Sequence, residues 1–137
     1  MSFEVIEHEG RRYAEVIWAD TKAEKSVFFS PAGSSMQFGL LAHSTGFVES
    51  AHYHVCSARK IDDLQQMFVV QKGIVAVDFF DDDGRKFRDV VLKTGDAILL
   101  VHGVHSIRVL ETMQCVSVKQ GPFLGPDKDK VDVSVRQ

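Results

Sequence analysis

Residues 66–80 read Gln-Met-Phe-Val-Val-Gln-Lys-Gly-Ile-Val-Ala-Val-Asp-Phe-Phe. Two runs within this stretch, residues 66–70 and 74–80, are rich in valine and phenylalanine, which favour β-strands. Lys72-Gly73 lies between them and is a turn signal, so the stretch predicts two strands joined by a hairpin-like turn. The side chains predicted to fill or line the core are Phe68, Val70, Val75, Val77 and Phe79.

Short apolar or alternating runs recur on both sides of this stretch, with glycine, proline and aspartate turn signals between them. No long segment shows the apolar period of a helix, about 3.6 residues. Many short strands separated by turns are typical of an all-β sandwich or barrel. The further predicted strands cover residues 3–8, 11–18, 26–29, 36–43, 85–92, 97–101, 107–110 and 113–119.

Length and charge narrow the class of protein. The 137 residues suffice for one domain with a single core. The 16 basic and 19 acidic residues give a net charge of −3, which argues against a nucleic-acid surface. No apolar run is long enough for a membrane span, and the N-terminus has no signal-like segment, so a cytoplasmic location is expected. Cys56 and Cys115 fit no CxxC pattern and are expected to be free thiols.

Two histidines one residue apart, His52 and His54, mark a candidate site. In an extended strand, residues i and i+2 point to the same face, so both imidazoles would project into one space with Tyr53 turned away. A third histidine from another strand, His105, would complete a metal site of nitrogen ligands. Neutral imidazoles, each oriented by a hydrogen bond at the other ring nitrogen, are what such a site requires.

The spacing of these residues resembles the first motif of the cupins, a family of small β-barrels. That motif runs glycine, five residues, His-x-His, a short spacer, glutamate, six residues and glycine. Here five residues separate Gly46 from His52-Tyr53-His54, and Gln66 occupies the glutamate position ahead of Gly73. Two departures are visible, because the spacer before Gln66 is long and a neutral amide replaces a carboxylate.

The second cupin motif runs glycine, five residues, proline, any residue, glycine, two residues and histidine. Gly95 and Gly103 fit it, whereas Val101 replaces proline and His105 comes one residue early. One residue reverses the face of a strand, but a turn or bulge at Gly103 would restore it. The pattern, with the arginine at position 59 and the tail at residues 119–125, resembles an uncharacterised cupin subgroup, some of whose members are associated with surface-sugar biosynthesis.

The resemblance implies a jelly-roll barrel, a single domain over residues 1–137 with a core barrel at about 26–120, and peripheral segments at 3–18 and 121–137. It also implies a homodimer, in which the strand from Phe3 to His8 would add to a partner's sheet. The implied cofactor is a divalent transition metal such as Zn, Fe, Ni or Mn. Its expected ligands are His52, His54, Gln66 and His105.

Three functions stay open at this point. The first is a metal-dependent enzyme acting on a small polar molecule such as a sugar or keto acid. The second is a non-catalytic binding or sensor domain, which the neutral Gln66 favours because a weakened metal site is a possible remnant. The third is a metal-free nucleotide-sugar ketoisomerase or epimerase, in which His52 or His54 would move a proton.

Other candidate residues have weaker signals. Arg59 could hold a phosphate or carboxylate of the substrate, since guanidinium binds both groups bidentately, but a solvated loop arginine is the simpler interpretation. His102 is a rival of His105 that is expected at the rim, and Cys56 is a possible ligand beside His54. His43 is expected to be structural or at the surface, and His8 is expected to be exposed.

Overall fold

The computed structural model describes residues 3–137, which are mostly β-structure, as the sequence predicted. Compact packing divides the chain into two units, called here the sheet unit (residues up to 21 together with 63–137) and the loop unit (residues 22–62). None of the described helices is long and apolar enough to cross a membrane. The elements are β1 (Phe3–His8), β2 (Arg11–Ile17), β3 (Val27–Phe28), β4 (Gly39–Leu40), β5 (Gln66–Phe80), β6 (Lys86–Leu92), β7 (Ala97–Leu100), β8 (Val104–Lys119) and α1 (Pro126–Asp129).

The sheet unit is built on a strongly curled antiparallel sheet that forms a half-barrel. Its strands are ordered β1-β2-β7-β5-β6, and β8 pairs with β5 along the other edge of that strand. β5 is long enough to pair with β7 through its first residues and with β6 through its last. The sheet is curled because β5 bends between the part that pairs with β7 and the part that pairs with β6.

β5 is one strand of 15 residues, so the predicted hairpin-like turn at Lys72-Gly73 is wrong. The whole stretch stays paired with β8, and three register shifts between Val70 and Val75 absorb the irregularity. Gly73 has φ of 86°, which suits a glycine in a bulge. A Cβ atom there would collide with the β8 backbone at the carbonyl oxygen of Thr112. The glycine therefore bends a continuous strand.

The inner face of the half-barrel carries the core. All five side chains predicted for it are buried, and they pack with residues of β1, β2, β6 and β7. β2 contributes Tyr13, Ala14 and Val16 and pairs with β7, and β1 pairs with β2, so both N-terminal strands belong to the sheet. The core residues of β5 are Phe68, Val70, Val75, Val77 and Phe79.

The edge strands β1 and β8 concern two further predictions from the sequence, the dimer contact of β1 and the extent of the last strands. β1 pairs with β2 alone among the described strands, so the joining of β1 to a partner's sheet stays a prediction with an edge strand in the expected place. β8 spans the two separate strands predicted at 107–110 and 113–119 and continues through the residues between them. The single domain over residues 1–137 also stays a prediction.

The loop unit contains one short hairpin. β3 and β4 pair antiparallel, and the Ser30 hydroxyl accepts a hydrogen bond from the backbone N–H of the buried Phe38. Gly39 is required because a Cβ atom would collide with the backbone of Val27 and Phe28. Both strands are shorter than predicted, and the stretch 41–64 contains no strand.

A buried carboxylate anchors β5 to β6 and β8. Asp78 is 1% exposed, and its oxygens accept hydrogen bonds from Arg108 Nε at 2.6 Å and Nη2 at 2.9 Å. Lys86 Nζ lies 3.1 Å from the same carboxylate and 2.8 Å from Asp89. The Arg108 hydrogen bonds hold the pKa of Asp78 below its usual 3.8; burial opposes this lowering and Lys86 adds to it.

Replacement of Asp78 by asparagine is expected to lower the free energy of unfolding by about 2–3 kcal/mol at pH 7, since it leaves two cations without their buried partner. The folded-state pKa is lowered, so this stabilisation is full above 3.8 and is lost as the pH falls through the folded value. Urea denaturation of the parent and of Asp78→Asn at a series of acidic pH values should show that the difference between their free energies of unfolding shrinks as the pH falls. Asp89→Asn, at a half-exposed carboxylate, should cost under about 1 kcal/mol. A difference that stays constant with pH would contradict the assignment.

Candidate functional site

The two histidines of the His-x-His segment lie side by side in the loop unit. The rings of His52 and His54 are stacked, with centroids 5.5 Å apart and planes inclined by 20°. Tyr53 between them is 86% exposed. The segment is not a strand, yet the two imidazoles share one side of the chain as the i, i+2 spacing predicted.

The His52 ring has a defined orientation. Its Nδ1 lies 2.8 Å from the backbone carbonyl oxygen of Ser50, and that distance fits an N–H donated to the carbonyl. The other ring nitrogen, Nε2, lies 3.4 Å from a carboxylate oxygen of Glu49, so acceptor oxygens face both nitrogens of this ring. A carbonyl oxygen at one ring nitrogen is the usual way in which a metal-binding histidine is oriented, and a metal at Nε2 would take the place of the Glu49 contact.

Gln66 begins β5 in the sheet unit, on the same face as Phe68 and Val70 because side chains alternate along a strand. Its amide nitrogen donates a 2.8 Å hydrogen bond to the hydroxyl of Ser117 on β8. With the nitrogen committed to Ser117, the carbonyl oxygen is the atom of Gln66 that can act as a ligand.

His105 lies near the start of β8, directly opposite Phe79 of β5. Opposite residues of an antiparallel pair project to the same face, so His105 points to the inner face. Gly103 lies in the turn between β7 and β8 and has φ of 85°. His105 is exposed as a whole residue, but desolvation of its ring lowers the pKa of the imidazole. A hydrogen bond with the Gly103 backbone opposes this lowering. The ring is therefore neutral at pH 7.

The four predicted ligands fall into two groups. His52 and His54 belong to the loop unit, whereas Gln66 and His105 belong to the sheet unit and both face its inner side. Across residues 3–137 there is no group of three or more histidine, cysteine, aspartate or glutamate side chains arranged to hold a metal ion. The ligand set stays a prediction that rests on the motif spacing.

The weaker candidates have ordinary surroundings. Arg59 is exposed and donates a 3.5 Å hydrogen bond to the backbone carbonyl of Ser57. His102 contacts Asp63 Oδ1 at 3.1 Å and Arg11 at 3.4 Å. Cys56 is an exposed free thiol. None of these contacts assigns the residue to a ligand site.

The two remaining histidines take part in aromatic packing. His43 stacks on Phe47 with ring centroids 3.9 Å apart, and one of its ring nitrogens lies 3.3 Å from the Ser26 hydroxyl. His8 stacks on Phe87 with centroids 4.2 Å apart. The packing of His43 fits the structural role that the sequence suggested, whereas His8 is partly buried against Phe87 although an exposed side chain was predicted.

The sheet unit has a cleft of about 270 Å³ that the sequence did not predict. It lies between the β1–β2 turn and the acidic turn at residues 81–83, and Tyr13 of β2 lines it. By itself, the acidic run indicates only a turn. Its approach to Tyr13 depends on sheet pairing between distant segments, so local sequence could not have indicated the cleft.

Comparison of the chain with protein-family models, with curated proteins and with solved structures finds no match. The assignment of function therefore rests on the residues and their arrangement.

Proposed function

We propose that this protein is a cupin-type metalloprotein that binds a divalent transition metal through His52 and His54 and acts on a small polar molecule such as a sugar or keto acid. The motif spacing also predicts His105 and Gln66 as ligands, and for these two residues the proposal rests on that spacing alone. The observation that carries the proposal is the paired arrangement of His52 and His54, with Nδ1 of His52 held by the Ser50 carbonyl.

The donor set fits a transition metal. Imidazole nitrogen suits Zn, Fe and Ni, whereas Mg and Ca favour oxygen ligands. The lowered pKa of His105 supports its inclusion, because a ligand must present a neutral ring. Gln66 would supply a neutral oxygen in place of a carboxylate, so weaker binding than at a site with glutamate is expected.

A jelly-roll barrel is the fold that this proposal implies. The support is the curled antiparallel half-barrel together with the two glycine-bounded motifs. The inner face is apolar around Phe68 and Phe79 with few polar groups, which is the usual lining of a small-molecule site.

Each residue has a definite task in this proposal. A bound metal would supply Lewis-acid polarisation of a substrate carbonyl or hydroxyl. Ser50 orients His52, and Ser117 orients Gln66 so that its carbonyl oxygen is available. Arg59 is the candidate for holding an anionic group of the substrate.

Metal uptake by the untagged protein tests the proposal. Titration of chelator-treated protein with Zn²⁺, Fe²⁺, Ni²⁺ and Mn²⁺, followed by calorimetry, is expected to show about one ion bound per chain for at least one of these metals. Gln66→Glu should tighten binding, since it adds a negatively charged ligand. Gln71→Glu, at an exposed glutamine of the same strand, is the matched control and should leave the affinity unchanged. Absence of uptake of all four metals would overturn the proposal.

A further inference from the structure

The cleft beside Tyr13 combines the hydroxyl of a buried side chain with a concentration of negative charge. Tyr13 is 3% exposed, and its ring packs against Phe79 and Phe87 on the inner face. Its hydroxyl makes no hydrogen bond to any residue in the range 3–137, and it is not among the buried atoms sealed from solvent. The ring is buried while the hydroxyl reaches the cleft without a protein partner among these residues, so the hydroxyl is available to a ligand.

Carboxylates surround the cleft. Glu9 of the β1–β2 turn and the three aspartates at residues 81–83 provide four negative charges against the one positive charge of Arg11, which leaves a net charge of −3 with His8 neutral. Arg11 is turned toward His102, with Nη2 at 3.4 Å from Nδ1. The charge balance favours a cationic ligand and disfavours an anionic one.

Backbone hydrogen bonds hold the carboxylate of Asp81 at the start of the acidic turn. Asp81 Oδ1 accepts hydrogen bonds from the backbone N–H groups of Asp83 at 3.0 Å and Arg85 at 2.9 Å. The bond from Arg85 is the main cause of the lowered pKa of Asp81. Burial, followed by the charge of Asp82, raises the pKa of Tyr13, so its hydroxyl stays protonated at neutral pH. Asp82 and Asp83 remain exposed, with no backbone hydrogen bond to their carboxylates among the described residues.

The size of the cleft and the arrangement of its carboxylates favour an organic cation over a metal ion. The cleft encloses about 270 Å³, and its carboxylates do not form a metal-binding group among the described residues. We infer that the cleft formed by Glu9, Tyr13 and the acidic turn at residues 81–83 binds a small protonated amine, whose ammonium N–H groups are accepted by the Tyr13 hydroxyl oxygen and by the carboxylates. All of its residues lie in the sheet unit, so the inference is independent of the proposed metal ligands.

Putrescine is a suitable probe, with 1,4-butanediol as its neutral counterpart and succinate as its anionic one. In ¹H–¹⁵N NMR titrations at low salt, putrescine is expected to shift the amide resonances of residues 9–13 and 81–84 in a saturable manner. The diol and succinate should leave these resonances in place. Raising the salt concentration should weaken binding, because exposed charges are screened.

Two variants and a matched control test the named residues. Tyr13→Phe keeps the ring contacts and removes the hydroxyl, and it should weaken putrescine binding about three- to tenfold. Asp82→Asn should weaken it by up to about fivefold, as expected for an exposed ion pair. Asp132→Asn, at an exposed carboxylate outside the cleft, should leave binding unchanged. Equal shifts with the diol, or unchanged binding in both cleft variants with native spectra, would overturn the inference.

Discussion

Replacement of His52 by alanine is expected to reduce metal affinity by at least about 100-fold. Loss of a group that merely orients a ligand typically costs about 10- to 100-fold, and loss of a ligand itself should cost more. His54→Ala should have an effect of the same size. Isothermal calorimetry on chelator-treated protein, with the metal that the parent protein binds best, measures both.

The segment itself supplies the control for this prediction. Tyr53 lies between the two histidines and is 86% exposed, so Tyr53→Ala changes the same stretch without removing an imidazole. Its metal affinity should match that of the parent. His43→Ala, which removes a histidine stacked on Phe47 in the same unit, should also leave metal binding intact. Equal losses in all four variants would indicate damage to the loop unit, and retained affinity in His52→Ala would contradict the assignment of the ligand.

Replacement of Gly73 by alanine is expected to lower the free energy of unfolding by about 3 kcal/mol or more. A residue with a Cβ atom is strained by about 1–2 kcal/mol at left-handed φ, and Gly73 has φ of 86°. The new methyl group would also meet the β8 backbone at Thr112, Glu111 and Met113, which cannot move aside as a flexible side chain does. Overpacking of this kind adds about 1–3 kcal/mol.

Gly10→Ala is the matched control for the bent strand. Gly10 also has positive φ, 76°, but nothing lies within 4 Å of the position that a methyl group would take there, so only the conformational cost of about 1 kcal/mol is expected. Urea denaturation of the two variants and the parent measures the difference. Similar losses at the two positions would show that Gly73 occupies an open hairpin turn, as the sequence suggested, and not a bulge pressed against β8.

Local sequence was informative where the physical cause is local. Alternation and β-branched residues located β1 and β2 to within about a residue, and the three aspartates at residues 81–83 with Gly84 correctly indicated a turn. The core residues of β5 were also predicted, because apolar side chains of a strand have to be buried. The imidazoles of His52 and His54 lie side by side, but in a loop and not in the extended strand for which the spacing predicted this.

At Lys72-Gly73, local sequence was not sufficient to predict the structure. A lysine and a glycine between two apolar runs satisfy the chemistry of a hairpin, and the same residues satisfy a bulge in a continuous strand. The choice depends on what lies beside the strand. β8 runs along the whole of β5, so its pairing keeps the stretch extended.

The sequence by itself determined the all-β class and the positions of most strands, because strand propensity and turn chemistry act over a few residues. Only the tertiary structure decided that β5 bends without breaking, that Asp78 is held by Arg108 and Lys86, that His105 faces inward beside Phe79, and that Tyr13 meets an acidic turn. Each of these depends on the register between strands far apart in the chain, and one residue of register reverses which face a side chain occupies.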